Sequence, residues 1–494
     1  MTLTGHLPAL QVVLPLLAAP ICYLISHTRL AWLFSTLVSW LCLAISILLV
    51  IQTSGGDVLH YAFGGFQPPW GIDYRVDRLN AYVLLIVSGI AAVIFPYSWT
   101  SIQKEVAKSH HGLFFTAMLL CLAGLLGITI TGDAFNLFVL LEISSLSTYT
   151  LISLGRDRRA LAASFQYLIM GTIGATFILI GIGFLYALTG TLNMTDLTNR
   201  IASIDDSRTL QVAFAFILVG FGLKLAMFPL HLWLPNAYAF APSVVSAFIG
   251  ATATKVAVYA LLRFLFTVFG VKFSFETMQV QWLLMPLALV AILFVSMVAV
   301  FQDGMKRLLA YSSVAQIGYM LLGISLVSVT GLTAALLHLF NHALMKGGLF
   351  LVLGAIAYRA GGTRLEHIAG LGKQMPYTMA AFVIGALSLI GVPLTVGFIS
   401  KWYLILATME RGYWPLTVVI LISSLLAVIY TWRIIEHAYF QPRAAGMPNV
   451  KEAPLSLLIP TWVLIFANLY FGIQSEYSVE LATSAAEMLF GVKP

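Results

Sequence analysis

The chain is written as long apolar runs separated by short polar stretches. A run of roughly 20 apolar residues is enough for a helix to cross a bilayer, and hydropathy places about 14 such runs. They fall at residues 8–26, 31–52, 79–100, 112–131, 135–153, 162–188, 210–230, 243–267, 281–301, 308–327, 332–358, 377–407, 415–439 and 454–473. The short alternating segments of a membrane β-barrel do not occur. The pattern therefore predicts an all-α polytopic membrane protein. Two runs are interrupted by proline: the seventh, LKLAMFPLHLWLP, at Pro229, and the twelfth, LSLIGVPLTVGFISK, at Pro393. Proline removes a backbone donor and breaks the helical ladder. In lipid the freed groups need polar partners or water. The two runs are five spans apart, so they cross in opposite senses. Paired broken helices in corresponding halves mark an inverted-repeat transporter with its polar site at the breaks. One such break could be a simple kink; two, each with a lysine nearby, point to function.

Composition sharpens this reading. Of 494 residues 60% are hydrophobic and only 9% charged, against about 25% charged in soluble domains. The net charge of +7 does not imply nucleic acid, because the excess lies in short loops and sets orientation. Loops holding Arg29, Lys104 and Lys108, Arg156, Arg158 and Arg159, Lys306 and Arg307, Arg359, Arg364 and Lys373, and Arg443 and Lys451 are positive. The intervening loops are neutral or acidic, with Asp57, Asp73 and Asp77, or Asp196, Asp205 and Asp206; the connection with Arg263 and Lys272 is the exception. The positive-inside rule predicts both termini on the non-cytoplasmic side. The first apolar run lacks a basic leader, so it reads as a retained helix. Loop 53–78, with GGFQPPWG, reads as a turn-rich cap. Cys22, Cys42 and Cys121 lie in apolar segments without metal spacing and read as small buried hydrophobes.

Against this background the intramembrane ionisable residues stand out: Glu142, Lys224, Lys255, His338, His342, Lys346 and Lys401. Each is costly in lipid and marks an ion or proton pathway by default. Glu142 is followed by Ser144, Ser145 and Ser147, and Lys224 is its natural partner, since a carboxylate beside an ammonium can stay charged. An ion pair that merely locks two helices would read the same way. His338, His342 and Lys346 recur every four residues on one helix stripe, and paired histidines suit proton relay. Gly347 and Gly348 are expected to loosen that helix. Zinc is disfavoured, because HLFNH lacks a zincin glutamate; no metal or cofactor is expected. Lys401 follows the second break and reads either as a gate or as a lysine snorkelling from a helix end. His231 follows the first break and is a candidate relay on the cytoplasmic side. Gly181 and Gly183 resemble a nucleotide fingerprint but lie inside an apolar helix, where they read as packing residues. No catalytic motif is present, so the chain reads as a transporter component rather than an enzyme.

Several stretches carry a resemblance: TGDAFNLFVLLEISSLSTY, LKLAMFPLHLWLPNAYAFAPSVVSA, FQDGMKRLLAYSSVAQIGYM, HLFNHALMKGGLFL and GVPLTVGFISKWYL. From the third to the thirteenth run the chain resembles the antiporter-like subunits of the complex I superfamily. These are the proton-pumping membrane subunits of NADH:quinone oxidoreductase and membrane-bound hydrogenases, and the A-type and D-type subunits of Mrp cation/proton antiporters. Its wording and length are most similar to the Mrp D-type. The resemblance implies two inverted five-helix repeats, each with a broken helix. It divides the chain into N-terminal peripheral helices (1–111), a first repeat (112–268), a second repeat (269–440) and a C-terminal helix and tail (441–494).

It also implies a hydrated polar axis across the membrane midplane. Glu142 matches the helix-five glutamate, Lys224 its helix-seven partner and Lys255 the central lysine of helix eight. His338, His342 and Lys346 match the stripe of helix eleven, and Lys401 the charged residue of helix twelve. The expected function is a proton-translocating subunit of a multisubunit Na⁺/H⁺ antiporter in a prokaryotic cell membrane. Its expected partners are other integral membrane subunits, including a second antiporter-like subunit, with H⁺ and Na⁺ as the transported ions. The alternatives are a non-redox, proton-pumping subunit of an NADH:quinone oxidoreductase or hydrogenase, or a scaffold whose axis no longer conducts.

Overall fold

A computed structural model describes residues 3–204, 207–443, 446 and 449–492; Asp205 and Asp206 lie outside them. Helices α1 (Leu7–Leu24) and α2 (Thr28–Thr53) form a peripheral pair. The expected cap contains an antiparallel ribbon, β1 (Leu59–Ala62) and β2 (Asp73–Val76), with Leu59 opposite Val76. Then come α3 (Arg78–Glu105), α4 (His111–Ile130), α5 (Ala134–Ser153) and α6 (Arg159–Thr189), followed by the short α7 (Met194–Ile201). The seventh crossing is made of two pieces, α8 (Arg208–Lys224) and α9 (Trp233–Phe240), and so reaches ten residues beyond the expected end.

Helix α10 (Ser243–Leu262) runs on into a π-helical stretch, Arg263–Val268. Helices α11 (Gln281–Val290) and α12 (Ser296–Val300), joined by a π-helical turn, make one crossing. Long helices α13 (Met305–Ser325) and α14 (Val329–Ala360) follow. After the short α15 (Leu365–Ile368) and α16 (Leu371–Gln374), the twelfth crossing is again in two pieces, α17 (Pro376–Ile390) and α18 (Val396–Glu410). Helices α19 (Trp414–Tyr439), α20 (Leu455–Ile473) and α21 (Glu476–Leu489) complete the chain. Among the described residues twelve helices are long and apolar enough to cross a membrane, and the two interrupted crossings bring the number to fourteen.

Burial sorts these helices. In α10, α13 and α14, 94% of the most apolar window is enclosed by protein, against 33% in α19 and 39% in α2 and α6. The first three form the interior; the others present apolar flanks such as Leu161, Phe165, Leu425 and Trp432 outward. Helix α14 is the central pillar, touching α3, α10, α13, α17, α18, α20 and α21. It stays helical through Gly347 and Gly348, contrary to the expected loosening. A Cβ on either would lie within 2.9 Å of Leu464 or Ile465, so these glycines admit α20 to close contact. Gly181 likewise admits Ile217 of α8 to α6, whereas Gly183 faces open space and packs against nothing.

Arg263 departs from the loop assignment. It is helical, 5% exposed, and pairs with Asp77 at 2.5 Å, which accounts for its exception to the loop-charge rule. Asp77 is the N-cap of α3 and accepts from the Leu79 and Asn80 amides at 3.0 and 3.1 Å. Asn80 accepts from Arg263 at 2.6 Å and donates to Tyr259 at 2.8 Å, while Tyr259 donates to the Thr129 carbonyl at 2.7 Å. One network thus ties the start of α3, the end of α4 and the far end of α10. Burial pushes the Asp77 carboxyl up, but the Arg263 guanidinium outweighs it and holds the group below the usual carboxylate value.

A depressed carboxylate stabilises in full above its unfolded value and loses that contribution as pH falls through the folded value. We therefore expect wild-type thermal stability in detergent to decline below about pH 4. Arg263→Met, which removes the nearer partner of a buried carboxylate and leaves it only Arg75 at 3.8 Å, should cost about 3 kcal/mol at neutral pH. An unchanged melting temperature in Arg263→Met would show that the network carries no such load.

Candidate functional site

The first break begins where α8 ends, at Lys224. Ala226 adopts φ +60°, and the Leu225 and Met227 amides turn back to the Phe221 and Gly222 carbonyls at 2.8 and 2.9 Å. The Leu223 carbonyl accepts from the Trp233 indole at 3.0 Å, and Trp233 stacks on Tyr167 of α6 at 3.9 Å. The break is therefore a built structure in which the carbonyls of Phe221, Gly222 and Leu223, at the end of α8, are answered. Its last helical side chain is the lysine. Lys224 Nζ lies 3.2 Å from Glu142 Oε1 and donates to Ser145 Oγ at 2.9 Å. Glu142 and Ser145, three residues apart on α5, face the same way. Lys224 is enclosed, while the Glu142 side chain keeps 23% exposure on the flank of the protein. A cavity of about 30 Å³ adjoins Lys224, Ser144, Thr148 and, across it, Ala253 and Ala257 of α10; that is room for one water. His231 sits within the break, 5% exposed, its ring 5.3 Å from Phe228 and its Nδ1 without a hydrogen-bond partner.

Helices α10, α13 and α14 carry the middle of the set. Lys255 is fully buried and donates to the Gly250 carbonyl at 2.5 Å, with Thr254 Oγ1 at 3.4 Å. Lys346 is fully buried and donates to the Leu309 carbonyl at 2.8 Å and to Ser312 Oγ. Neither has a carboxylate within ion-pair distance among the described residues. Both side-chain nitrogens are held by backbone and hydroxyl oxygens alone. His338 and His342 lie parallel, centroids 6.1 Å apart and 6° between planes. His338 Nδ1 is 2.9 Å from Ser400 Oγ. The stripe His338, His342, Lys346 is therefore continuous on α14, as its spacing predicts.

The second break belongs to the same cluster. Helix α17 ends at Gly391, with φ +93°, and a Cβ there would stand 2.9 Å from Lys401 Cδ, so the lysine stem needs glycine beneath it. Lys401 Nζ donates to the freed Ile390 and Leu389 carbonyls at 2.7 and 3.3 Å and to Ser424 Oγ at 3.0 Å. It also lies 5.2 Å from the Tyr319 ring. A cation on the last carbonyls of a helix meets the negative end of the macrodipole. At 6% exposure Lys401 is not a snorkelling lysine; it is the side chain that answers the break. Asn341 of α14 donates to the Val396 carbonyl at 2.6 Å and holds the other lip. Asn341, Ser312, Ser400 and Ser424 do not stand out in the sequence. Their only signal is that each is a small polar residue in an apolar run, two of them adjacent to His342 and Lys401.

The structure thus places Lys224 with Glu142 at one break, Lys401 at the other, and Lys255, His342 and Lys346 in the interior between them. A family model described as NADH:quinone oxidoreductase/Mrp antiporter, TM, matches residues 131–427, from just before α5 into α19. The chain is 41% identical to the N subunit of the NADH-quinone oxidoreductase of Desulforudis audaxviator, over 96% of its own length and 97% of that protein's. It is 30% identical to the D component of the Na(+)/H(+) antiporter of Bacillus subtilis, over 97% and 96%. Its fold superposes on a chain of the Mrp complex from Dietzia sp. with TM-score 0.90 at 28% identity, covering 99% of this chain and 98% of that one. A chain of the archaeal membrane-bound sulfane sulfur reductase gives TM-score 0.89, also at 28% identity, with 98% of each covered. With two broken crossings and buried charge on a helix beside each, this multi-pass membrane protein belongs to the NADH:quinone oxidoreductase/Mrp antiporter transmembrane family.

Proposed function

We propose that this chain is the proton-translocating subunit of a multisubunit Na⁺/H⁺ antiporter in a prokaryotic cell membrane. Its path is Glu142, Lys224, Lys255, the stripe His338, His342 and Lys346, and Lys401, with His231 a relay at the cytoplasmic side of the first break. The observation that carries the reading is the Glu142–Lys224 pair, at 3.2 Å, on a helix end freed by the break. At that distance the attraction is on the order of 5 kcal/mol for an effective dielectric of about 20. Protonating Glu142 from its exposed edge removes the attraction and frees the Lys224 ammonium.

Lys255 and Lys346, held only by neutral oxygens, titrate as one coupled set with their neighbours. A change at Lys224 propagates along α10 to α14 and then through His338 and Ser400 to the break that Lys401 occupies. Glu142 alone is thin provision for a hard cation, which wants several oxygens. Protons therefore use this chain, and the Na⁺ site is shared with a neighbouring subunit. The partners are other integral membrane subunits, including a second antiporter-like subunit, and the loop charges put both termini on the non-cytoplasmic side.

A second reading has its own support: the 41% relative is named as part of an NADH-quinone oxidoreductase. There the same path would serve a redox-driven proton pump. Mass identification of the native complex, purified in mild detergent, separates the two. Small cofactor-free membrane subunits are expected; subunits carrying flavin, nickel or iron–sulfur clusters would replace the antiporter with the pump. Within the intact complex in vesicles, Glu142→Gln and Lys224→Met should each lower proton movement by on the order of 100-fold while the complex still assembles. Wild-type transport in both variants would sink the mechanism.

A further inference from the structure

Basic residues that the loop-charge pattern treats only as orientation signals meet at one place in the fold. Lys104, Arg156, Arg159, Lys306, Arg307 and Arg364 come from four separate stretches of the chain, and all of them line one open cavity of about 710 Å³. That size falls within the range of ligand pockets, about 300–1,000 Å³. Glu105, Asp157 and Asp303 line it too, and each is already engaged. Glu105 accepts from the Ser243 amide and hydroxyl at 2.9 and 2.7 Å, with Lys306 at 3.7 Å. Asp157 holds Arg159 at 2.6 Å, and Asp303 holds Arg433 at 2.6 Å.

The other cations are unmatched. Lys104 donates to the Tyr358 carbonyl at 2.5 Å and Arg156 to the Val106 carbonyl at 3.3 Å, while Arg307 lies 6.0 Å above the Tyr311 ring. Like Arg364, they have no carboxylate within ion-pair distance among the described residues, and all four residues are exposed. One rim of the same cavity is apolar: Phe301, 79% exposed. It ends a stripe on the flank of α11 and α12 in which Val290, Phe294 and Met297 are exposed as well. Spacings of four, three and four residues, with shared exposure, put these side chains on one outward flank. The stripe leads from membrane depth to the cations.

Unmatched cations at the head of an outward apolar stripe complement an amphiphile with a negative head. Guanidinium forks match phosphate oxygens two at a time, and basic pockets between membrane helices take anionic lipid headgroups. We propose that the cavity seats the headgroup of an anionic phospholipid, with its phosphate among Lys104, Arg156, Arg307 and Arg364 and its chains along Phe301, Met297 and Phe294. An acidic protein segment would answer the cations and leave the stripe unused. Phe294 also meets Phe228 of the first break, ring centroids 6.2 Å apart, so the seated lipid packs against a residue that touches the break. The site stands on charge and shape and does not rest on the proposed transport path.

The test uses the intact complex, stripped of lipid in detergent and titrated with phosphatidylglycerol, with binding followed by native mass spectrometry. Phosphatidylcholine should not compete. Each basic side chain near an anionic headgroup contributes about fivefold to binding, so Arg307→Gln combined with Arg364→Gln should weaken it about 25-fold. Lys108→Gln combined with Arg158→Gln removes the same charge from neighbouring loops outside the cavity and should change the affinity by less than about twofold, because exposed charges at a distance are screened. Phe301→Ser should weaken phosphatidylglycerol but not glycerol phosphate, which carries the head without the chains. In the wild type, cryo-EM density for a two-chain lipid is expected between Arg307 and Phe301. An equal loss in the Lys108 and Arg158 pair would reduce the effect to general surface charge and overturn the proposal. Displacement by glycerol phosphate at lipid concentrations, or density for a protein segment in the cavity, would overturn it in favour of a phosphate site or a docked partner. If the arginine pair does not accumulate, the Phe301→Ser titration and the wild-type density decide it.

Discussion

A charge or a backbone carbonyl inside a bilayer has to find a partner within the protein, because hydrocarbon supplies none. Most of what is distinctive here follows from that requirement. At the second break the two needs answer each other: helix α17 stops, its last carbonyls lose their amides, and the Lys401 ammonium takes them up. At the first break the Leu223 carbonyl is answered by an indole N–H, which leaves Lys224 free to reach across to Glu142 on α5. The two breaks are thus chemically unlike. One cation is matched by a carboxylate with a partly open edge, the other by dipoles in an enclosed pocket.

The interior between them is different again. The fully buried lysines, Lys255 and Lys346, have only neutral oxygens for company. An ammonium so placed responds strongly to any nearby change in charge, since nothing fixed offsets it. The Asp77–Arg263 pair is the opposite arrangement on the same helix. It is a cation set directly against a carboxylate, hydrogen-bonded on several sides, and it joins α10 to α3 and α4. Helix α10 therefore has one end anchored by an ion pair and, in its middle, a buried lysine held only by neutral oxygens.

Much of the fold is readable from the chain. Fourteen crossings, their order and both interruptions follow from hydropathy and two prolines, because only a helix satisfies its backbone in lipid and a proline removes one of its backbone donors. The ionisable residues are readable for the same reason: each is expensive and so conspicuous. Two glycine readings fail. Gly347 and Gly348 look like loose points, and Gly183 like a packing residue, because composition does not report what faces a glycine. Arg263 reads as a loop charge, since hydropathy cannot register a guanidinium whose cost is cancelled by an aspartate 186 residues away.

The sequence by itself determined that the chain is a polytopic helical membrane protein, where its helices break, and which side chains carry charge inside it. These are properties of single residues and of local periodicity, and the bilayer imposes them segment by segment. Only the tertiary structure decided who partners whom. Lys401 sits on carbonyls rather than at the interface, Asp77 and Arg263 pair across the fold, and Lys346 of α14 rests on Ser312 of α13. Each of those outcomes depends on the register of one helix against another, which is set by side-chain packing between segments distant in the chain and leaves no local trace in the order of residues.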